Sequence, residues 1–219
     1  MIETVLFDLD GTIIDTNELI ISSFMHVIEK GPRGPLTRES IIPHMGTTLE
    51  YQLQTFSGLD DVSRLVTLYR SYNEQHHDEM VTPFPHVQEV VKWLHEQGVS
   101  MGIVTTKIRP STLMTLKKFN LEQYMSVVVT VNDVENPKPH PEPVLKAVKD
   151  LGCNPETTLM VGDSAVDLQS AKAAGVQAAG VAWSLKGEQV LREHGADYIL
   201  KDMRDLYTIV GDKQEQEPR

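Results

Sequence analysis

Cysteine is nearly absent: Cys153 is the only one in 219 residues. One thiol cannot build a disulfide framework or a cysteine-based zinc cluster, and this usage fits a reducing compartment. Long apolar runs are missing too, and no stretch approaches the roughly 20 residues of a membrane-spanning helix. The opening MIETVLFD has no basic segment leading into an apolar run and no small-residue cleavage site. No signal peptide is therefore expected, and the expected location is cytoplasmic. Positive charge is in short supply, with 20 Lys and Arg against 31 Asp and Glu and a net charge of −11. That balance argues against a nucleic-acid partner spread over a broad surface. A small phosphate ligand stays compatible, provided that a metal and a few cations reverse the field locally.

What is present is enough apolar material, 40% of residues, for a real core. The length allows one large domain, or one domain with a smaller insert. TVLFD (4–8), SMGIVT (100–105), SVVVT (126–130), TLMVGD (158–163) and QAAGVAW (177–183) read as strands. They are apolar throughout and do not alternate, as strands of a parallel sheet covered on both faces do. Helical patterns lie between them. Val87, Val90, Val91 and Leu94 share one face and stop at Gly98, and residues 141–150 run from Pro141 to just before Gly152.

One interval breaks the alternation. Residues 16–82 carry only helical patterns, with Ile20, Phe24, Val27 and Ile28 on one helix and Val62, Leu65, Val66 and Tyr69 on another. GPRGP (31–35) is expected as a loop between them, and the polar tail at 211–219 is expected to fray. The expected fold is α/β: a Rossmann-like parallel-sheet core from residues 1–15 and 83–219, with a helical domain, 16–82, inserted after the first strand. Hinges are expected near Thr16 and Pro83.

Four chemically distinctive elements fall at the C-terminal ends of these strands, the edge where open α/β sheets bind ligands. They are Asp8 and Asp10 in DLDGT, the run Thr105-Thr106-Lys107, Lys138 in NPKPHPEP, and Asp163 and Asp167 in GDSAVD. Read singly, each has an ordinary explanation as a turn, a helix cap or a solvated lysine. Read jointly they are carboxylates, a hydroxyl and a lysine in order along one sheet edge. Such a set suits a phosphoryl group and a divalent ion such as magnesium.

These residues resemble the haloacid dehalogenase superfamily of phosphatases: DxDGT at 8–12, an apolar residue and Thr at 104–105, KPxPEP at 138–143, and GDxxxD at 162–167. DTNELIISSF (15–24), GIVTTK (102–107), DVENPKPHPEP (133–143) and AGVAWSLKG (179–187) more narrowly resemble PpaX-type inorganic pyrophosphatases. The resemblance implies a helical (C1-type) cap at 16–82 and hydrolysis through an aspartyl-phosphate. Asp8 would be the nucleophile and Asp10 the acid and base. Lys138 would balance charge, and Thr105 and Thr106 would bind phosphate. Asp8, Asp10 and Asp163 would hold Mg2+, with Asp167 orienting Lys138 or a metal-bound water. A neutral Asp10 needs a raised pKa, expected from its carboxylate neighbour. The narrower resemblance implies clearance of pyrophosphate released when serine-phosphorylated HPr is dephosphorylated. The rival reading is a phosphoglycolate or small sugar-phosphate phosphatase.

Lys107, Arg109, Lys138 and Lys186 are expected to form a cationic rim that favours a substrate with two phosphoryl groups. Thr106, often Asn in relatives, and His140, often Asp, depart from the wider pattern and weaken any transfer of its substrates. The loop His44-Met45-Gly46-Thr47-Thr48 is expected to meet the leaving group, with Gly46 and Thr47 as contacts. His76 and His77 sit in a polar helix and are expected to face solvent, while Met25, Met101, Met114 and Met160 are expected to fill core or boundary. Gly11 and Gly162 suit tight turns. A phosphate-receiving signalling module is shorter, lacks an insert, and carries its acceptor Asp on a central strand; SVVVTVN (126–132) offers none. The partner is thus expected to be a small molecule.

Overall fold

The computed structural model describes residues 1–28 and 34–211. The chain starts with β1 (Thr4–Phe7) and turns into the short β2 (Ile14–Asp15). Four helices follow: α1 (Asn17–Val27), α2 (Arg38–Ile41), α3 (Leu49–Ser57) and α4 (Ser63–Met80). The chain returns through β3 (Thr82–Pro83), which pairs antiparallel with β2. Helices and strands then alternate: α5 (Val87–Glu96), β4 (Ser100–Val104), α6 (Arg109–Lys118), β5 (Val127–Val129), α7 (Glu142–Leu151) and β6 (Thr158–Gly162). The last elements are α8 (Ala165–Ala173), β7 (Gln177–Val181), α9 (Glu188–Glu193), β8 (Tyr198–Leu200) and α10 (Leu206–Gly211).

Six strands make one sheet in the order β5-β4-β1-β6-β7-β8, and every pairing in it is parallel. β1 is buried along its whole length because both of its faces are covered. Val5 and Phe7 pack with Val90, Val91 and Leu94 of α5 and with Leu206 and Val210 of α10. Leu6 points the other way, among Val144 and Val148 of α7 and Leu168 and Ala171 of α8. Alternate residues of one strand thus serve two apolar layers, which is why the strand sequences show no polar alternation. Each fully buried Leu, Val or Phe contributes about 1.5–3 kcal/mol.

The segment between β2 and β3 has an apolar core of its own. Phe24 of α1 meets Phe56 of α3 edge-on at 5.1 Å and Tyr69 of α4 at 4.7 Å, among Ile21, Leu53 and Val66. The β2–β3 ribbon at its base has only two residues per strand. Asp15 accepts from the Asn17 N–H at 3.2 Å and so shapes the entry into α1. Residues 31–33 of the expected GPRGP loop and 212–219 of the expected tail lie outside the described residues.

Some expectations need correction. β8 was not expected; it is a three-residue edge strand, too short to show a pattern. Met101 and Met160 are in the core, but Met25 and Met114 are exposed at 39% and 41%. His77 is buried rather than solvated, because α4 turns it onto α6, where Nε2 lies 2.8 Å from Thr115 Oγ1. Gly162 has no turn conformation; it lets Asp167 approach, since a Cβ there would fall 2.3 Å from Asp167 Cβ. Among the described residues no helix is long and apolar enough to cross a membrane.

Candidate active site

The C-terminal edge of the sheet gathers the chemistry. After β1 the chain must turn at once, and Gly11, with φ of +79°, makes that turn while its N–H donates to the Ile14 carbonyl at 2.8 Å. A Cβ at this position would lie 2.7 Å from Asp163 Oδ2, so only glycine lets the turn sit beside the end of β6. Asp8 follows β1, Thr105 follows β4, Lys138 lies on the segment leading to α7, and Asp163 follows β6.

Lys138 is the hub. It is 3% exposed, and its Nζ donates to Asp8 Oδ1 at 2.7 Å, Asp167 Oδ1 at 2.5 Å and the Val104 carbonyl at 2.8 Å. Those bonds use all three ammonium protons. Asp167 is equally committed, because its Oδ2 accepts from the Ser164 N–H and hydroxyl at the start of α8. It therefore fixes the lysine. Asp163 is paired through Oδ2 with Lys186 Nζ at 2.6 Å, and Asp10 with Lys107 Nζ at 2.9 Å. Thr105 Oγ1 accepts from the Lys107 N–H at 3.1 Å, which leaves its own proton available to a ligand.

Four carboxylates share three ammonium groups here. Burial pushes the Asp8 carboxyl up to about 8; Lys138 opposes this, and the charges of Asp167 and Asp163 reinforce it. Asp163 is raised as well, by burial first, with Lys186 pulling it down and Asp167 adding to the rise. Burial lowers Lys138, but Asp167 and Asp8 together outweigh it and hold the lysine charged well above its ordinary range. Asp10 faces Lys107.

Carboxylate oxygens of Asp8, Asp163 and Asp167 lie within 4.8 Å of one another. With Asp167 occupied by Lys138 and Ser164, one oxygen each of Asp8 and Asp163 stays outside the ion pairs and open to a cation. Hard oxygen donors and an excess of buried negative charge fit a divalent ion of the magnesium class. Asp10, expected to reach the metal through its backbone carbonyl, pairs its side chain with Lys107.

Over this floor is a cavity of 110 Å³, walled by Met45, Gly46, Thr47, Glu50, Arg70 and Asn73 of the inserted helices. The 44–48 loop does lie over the site. Thr106, expected as a phosphate contact, donates its hydroxyl to the Gly46 carbonyl at 3.0 Å and ties the loop to the core. Thr47 donates to His44 O at 2.9 Å. Lys107 and Lys186 line the cavity. Arg109 belongs elsewhere: its guanidinium pairs with Asp133 and the Val128 carbonyl, which corrects the expected rim.

A family model described as haloacid dehalogenase-like hydrolase matches residues 5–181. The chain belongs to this family. As a haloacid dehalogenase-like hydrolase it is an enzyme, a phosphohydrolase. It is similar to Pyrophosphatase PpaX of Bacillus pumilus, 48% identical over 212 residues that span 96% of this chain and 97% of that protein. To Pyrophosphatase PpaX of Halalkalibacterium halodurans it is 47% identical over 97% of this chain and 98% of that one. Among solved structures, a hydrolase from Pseudomonas syringae superposes with a TM-score of 0.85 at 22% identity, covering 96% of this chain and 98% of that one. At that identity the likeness is one of fold.

Arg70 and Asn73 were not anticipated from the sequence, although a signal existed. The apolar stripe Val66, Tyr69 of α4 continues at four-residue spacing, from Val66 to Arg70 and from Tyr69 to Asn73 and His77. Polar residues on the inward side of a helix mark the place where it leaves the apolar core.

Proposed function

We propose that this hydrolase is a magnesium-dependent inorganic pyrophosphatase that works through an aspartyl-phosphate on Asp8. The observation carrying the reading is the Lys138 clamp on buried Asp8, beside Asp163 and beneath a small, cation-lined cavity. The similarity to PpaX pyrophosphatases over the whole chain supports the substrate.

Each residue has a task in this reading. Lys138 holds one oxygen of Asp8 and leaves the other to attack phosphorus. The phosphoanhydride P–O bond breaks, its electron pair departs with orthophosphate, whose leaving oxygen takes a proton from Asp10, and the phosphoryl group remains on Asp8. Water then attacks the same phosphorus, Asp10 takes its proton, and the bond to Asp8 breaks to release the second orthophosphate. Thr105 donates its free hydroxyl proton to a phosphoryl oxygen. Asp167 acts through Lys138, as a positioning residue. Asp8 and Asp163, with Asp10 nearby, would hold magnesium, and its charge would keep Asp8 ionised and let it meet an anion.

Residues 16–82 serve as the cap in this reading, closing over the leaving group through the 44–48 loop. The setting would be cytoplasmic, where the enzyme consumes pyrophosphate, including that released from serine-phosphorylated HPr. The test is a panel: purified protein with Mg2+ against pyrophosphate, phosphoglycolate and sugar phosphates at equal concentration. Pyrophosphate is expected to give the highest kcat/KM; a higher value for any monoester would sink the reading.

A further inference from the structure

We infer that Arg70 of α4 receives the distal phosphoryl group, so that the inserted helices select substrates with two anionic phosphoryl groups. The inference rests on the pyrophosphatase reading and sharpens it. The cations of the cavity floor are already spoken for. Lys138 is saturated, Lys107 is paired with Asp10 and Lys186 with Asp163. Those partners keep the floor lysines tied to the carboxylates that do the chemistry. A second phosphoryl group therefore needs a cation from the opposite wall. Among the described residues lining the cavity, the insert offers one: Arg70.

Arg70 is built for release and recapture. Its partner is Glu50 of α3, reached by one contact at 3.3 Å, and the two side chains are 37% and 51% exposed. An exposed single-contact pair of this kind contributes little, so exchanging the carboxylate for a phosphate costs little. A guanidinium also matches phosphate oxygens as a fork, which an ammonium cannot do. Asn73, one turn on, faces the same cavity, and its amide reaches Ser23 Oγ at 3.3 Å, a long bond that holds it loosely. Glu50 lines the cavity as well. Its charge holds Arg70 when the cavity is empty.

The test compares Arg70→Met, Arg70→Lys and Glu50→Gln with the parent enzyme, on pyrophosphate and on p-nitrophenyl phosphate, whose leaving group carries no phosphoryl charge. Arg70→Met is expected to lose about 10- to 100-fold in kcat/KM on pyrophosphate and less than about threefold on the monoester. Arg70→Lys should recover part of the loss, and Glu50→Gln should keep full pyrophosphate activity or raise it. Equal losses on both substrates, or a Glu50→Gln loss matching that of Arg70→Met, would make the pair a structural tie and overturn the inference. A second measurement does not depend on turnover. With Mg2+ present, calorimetry should show pyrophosphate binding Asp8→Asn at least about 10-fold more tightly than Asp8→Asn/Arg70→Met, with orthophosphate indifferent to the change. Equal pyrophosphate affinity would also overturn it. Failure of the pyrophosphatase reading shows separately, in the parent enzyme's substrate ranking.

Discussion

Asp8 is 6% exposed and shares a single ammonium with Asp167. Burial, reinforced by Asp167 and Asp163, pushes it from the ordinary 3.8 up to about 8 when no cation is bound. The folded state then holds a proton that the unfolded chain gives up, so unfolding becomes easier as pH rises between those two values. Asp8→Asn keeps the shape of the side chain and removes the charge. In metal-free protein at about pH 8 the variant is therefore expected to melt higher than the parent by about 5 °C. The gain should shrink toward about pH 5, where the parent carboxyl is protonated anyway. Turnover should fall by at least about a thousandfold, because no nucleophile remains. Calorimetric melting at both pH values checks the first claim. A variant less stable than the parent at the higher pH would refute the charge argument, and substantial residual turnover would overturn the nucleophile assignment.

At the scale of elements, the 44–48 loop depends on one glycine. Gly46 has φ of +102°, and a Cβ there would lie 2.6 Å from Ser164 Oγ and 2.9 Å from Ser164 Cβ. The backbone of the loop thus rests directly on the start of α8, the helix that holds Asp167. Gly46→Ala must lift the loop or strain it, and displacements of this order near a reacting centre cost up to about 100-fold. A fall in kcat/KM of about 10-fold or more is expected, with the melting temperature lowered by only a few degrees. Steady-state kinetics within twofold of the parent would show that the loop does not need this contact. The same loop shows what the sequence could carry. Strands such as β1 were legible because burial on both faces leaves an unbroken apolar run, and Asp8, Lys138 and Asp163 because parallel strands end at one edge. The partners of the side chains were not legible. Thr106 bonds to a loop sixty residues away, Arg109 turns to Asp133, and Lys107 takes Asp10. Those pairings follow from tertiary distance, which periodicity does not encode.

Across the whole molecule, the insert and the sheet each have an apolar core, joined by a short ribbon, by Leu19 of α1 and Met80 of α4 packing into the sheet's core, and by polar ties. One tie is Thr106 to Gly46; another is Lys118 of α6 to Asp78 of α4 at 2.6 Å. The third is His77, 1% exposed, against Thr115. Thr115 donates its proton to the Ser111 carbonyl at 2.9 Å, so it accepts from His77 Nε2–H, while Nδ1 lies 3.4 Å from Asp78 Oδ1. Burial lowers the His77 pKa, Lys107 and Lys118 lower it further, and Asp78 opposes them. A histidine whose folded pKa lies below its unfolded 6.5 stabilises the fold above that value and loses this contribution as pH falls through the folded pKa. Acid should therefore loosen the grip of α4 on α6 before it disturbs the sheet. His77→Leu removes the titrating group and one hydrogen bond, at a cost of about 1 kcal/mol near neutral pH. The parent's advantage in melting temperature at about pH 7.5 should accordingly shrink or reverse by about pH 5. An advantage that stays constant across this range would show that His77 does not titrate with unfolding, and the link between the two cores would then be insensitive to acid.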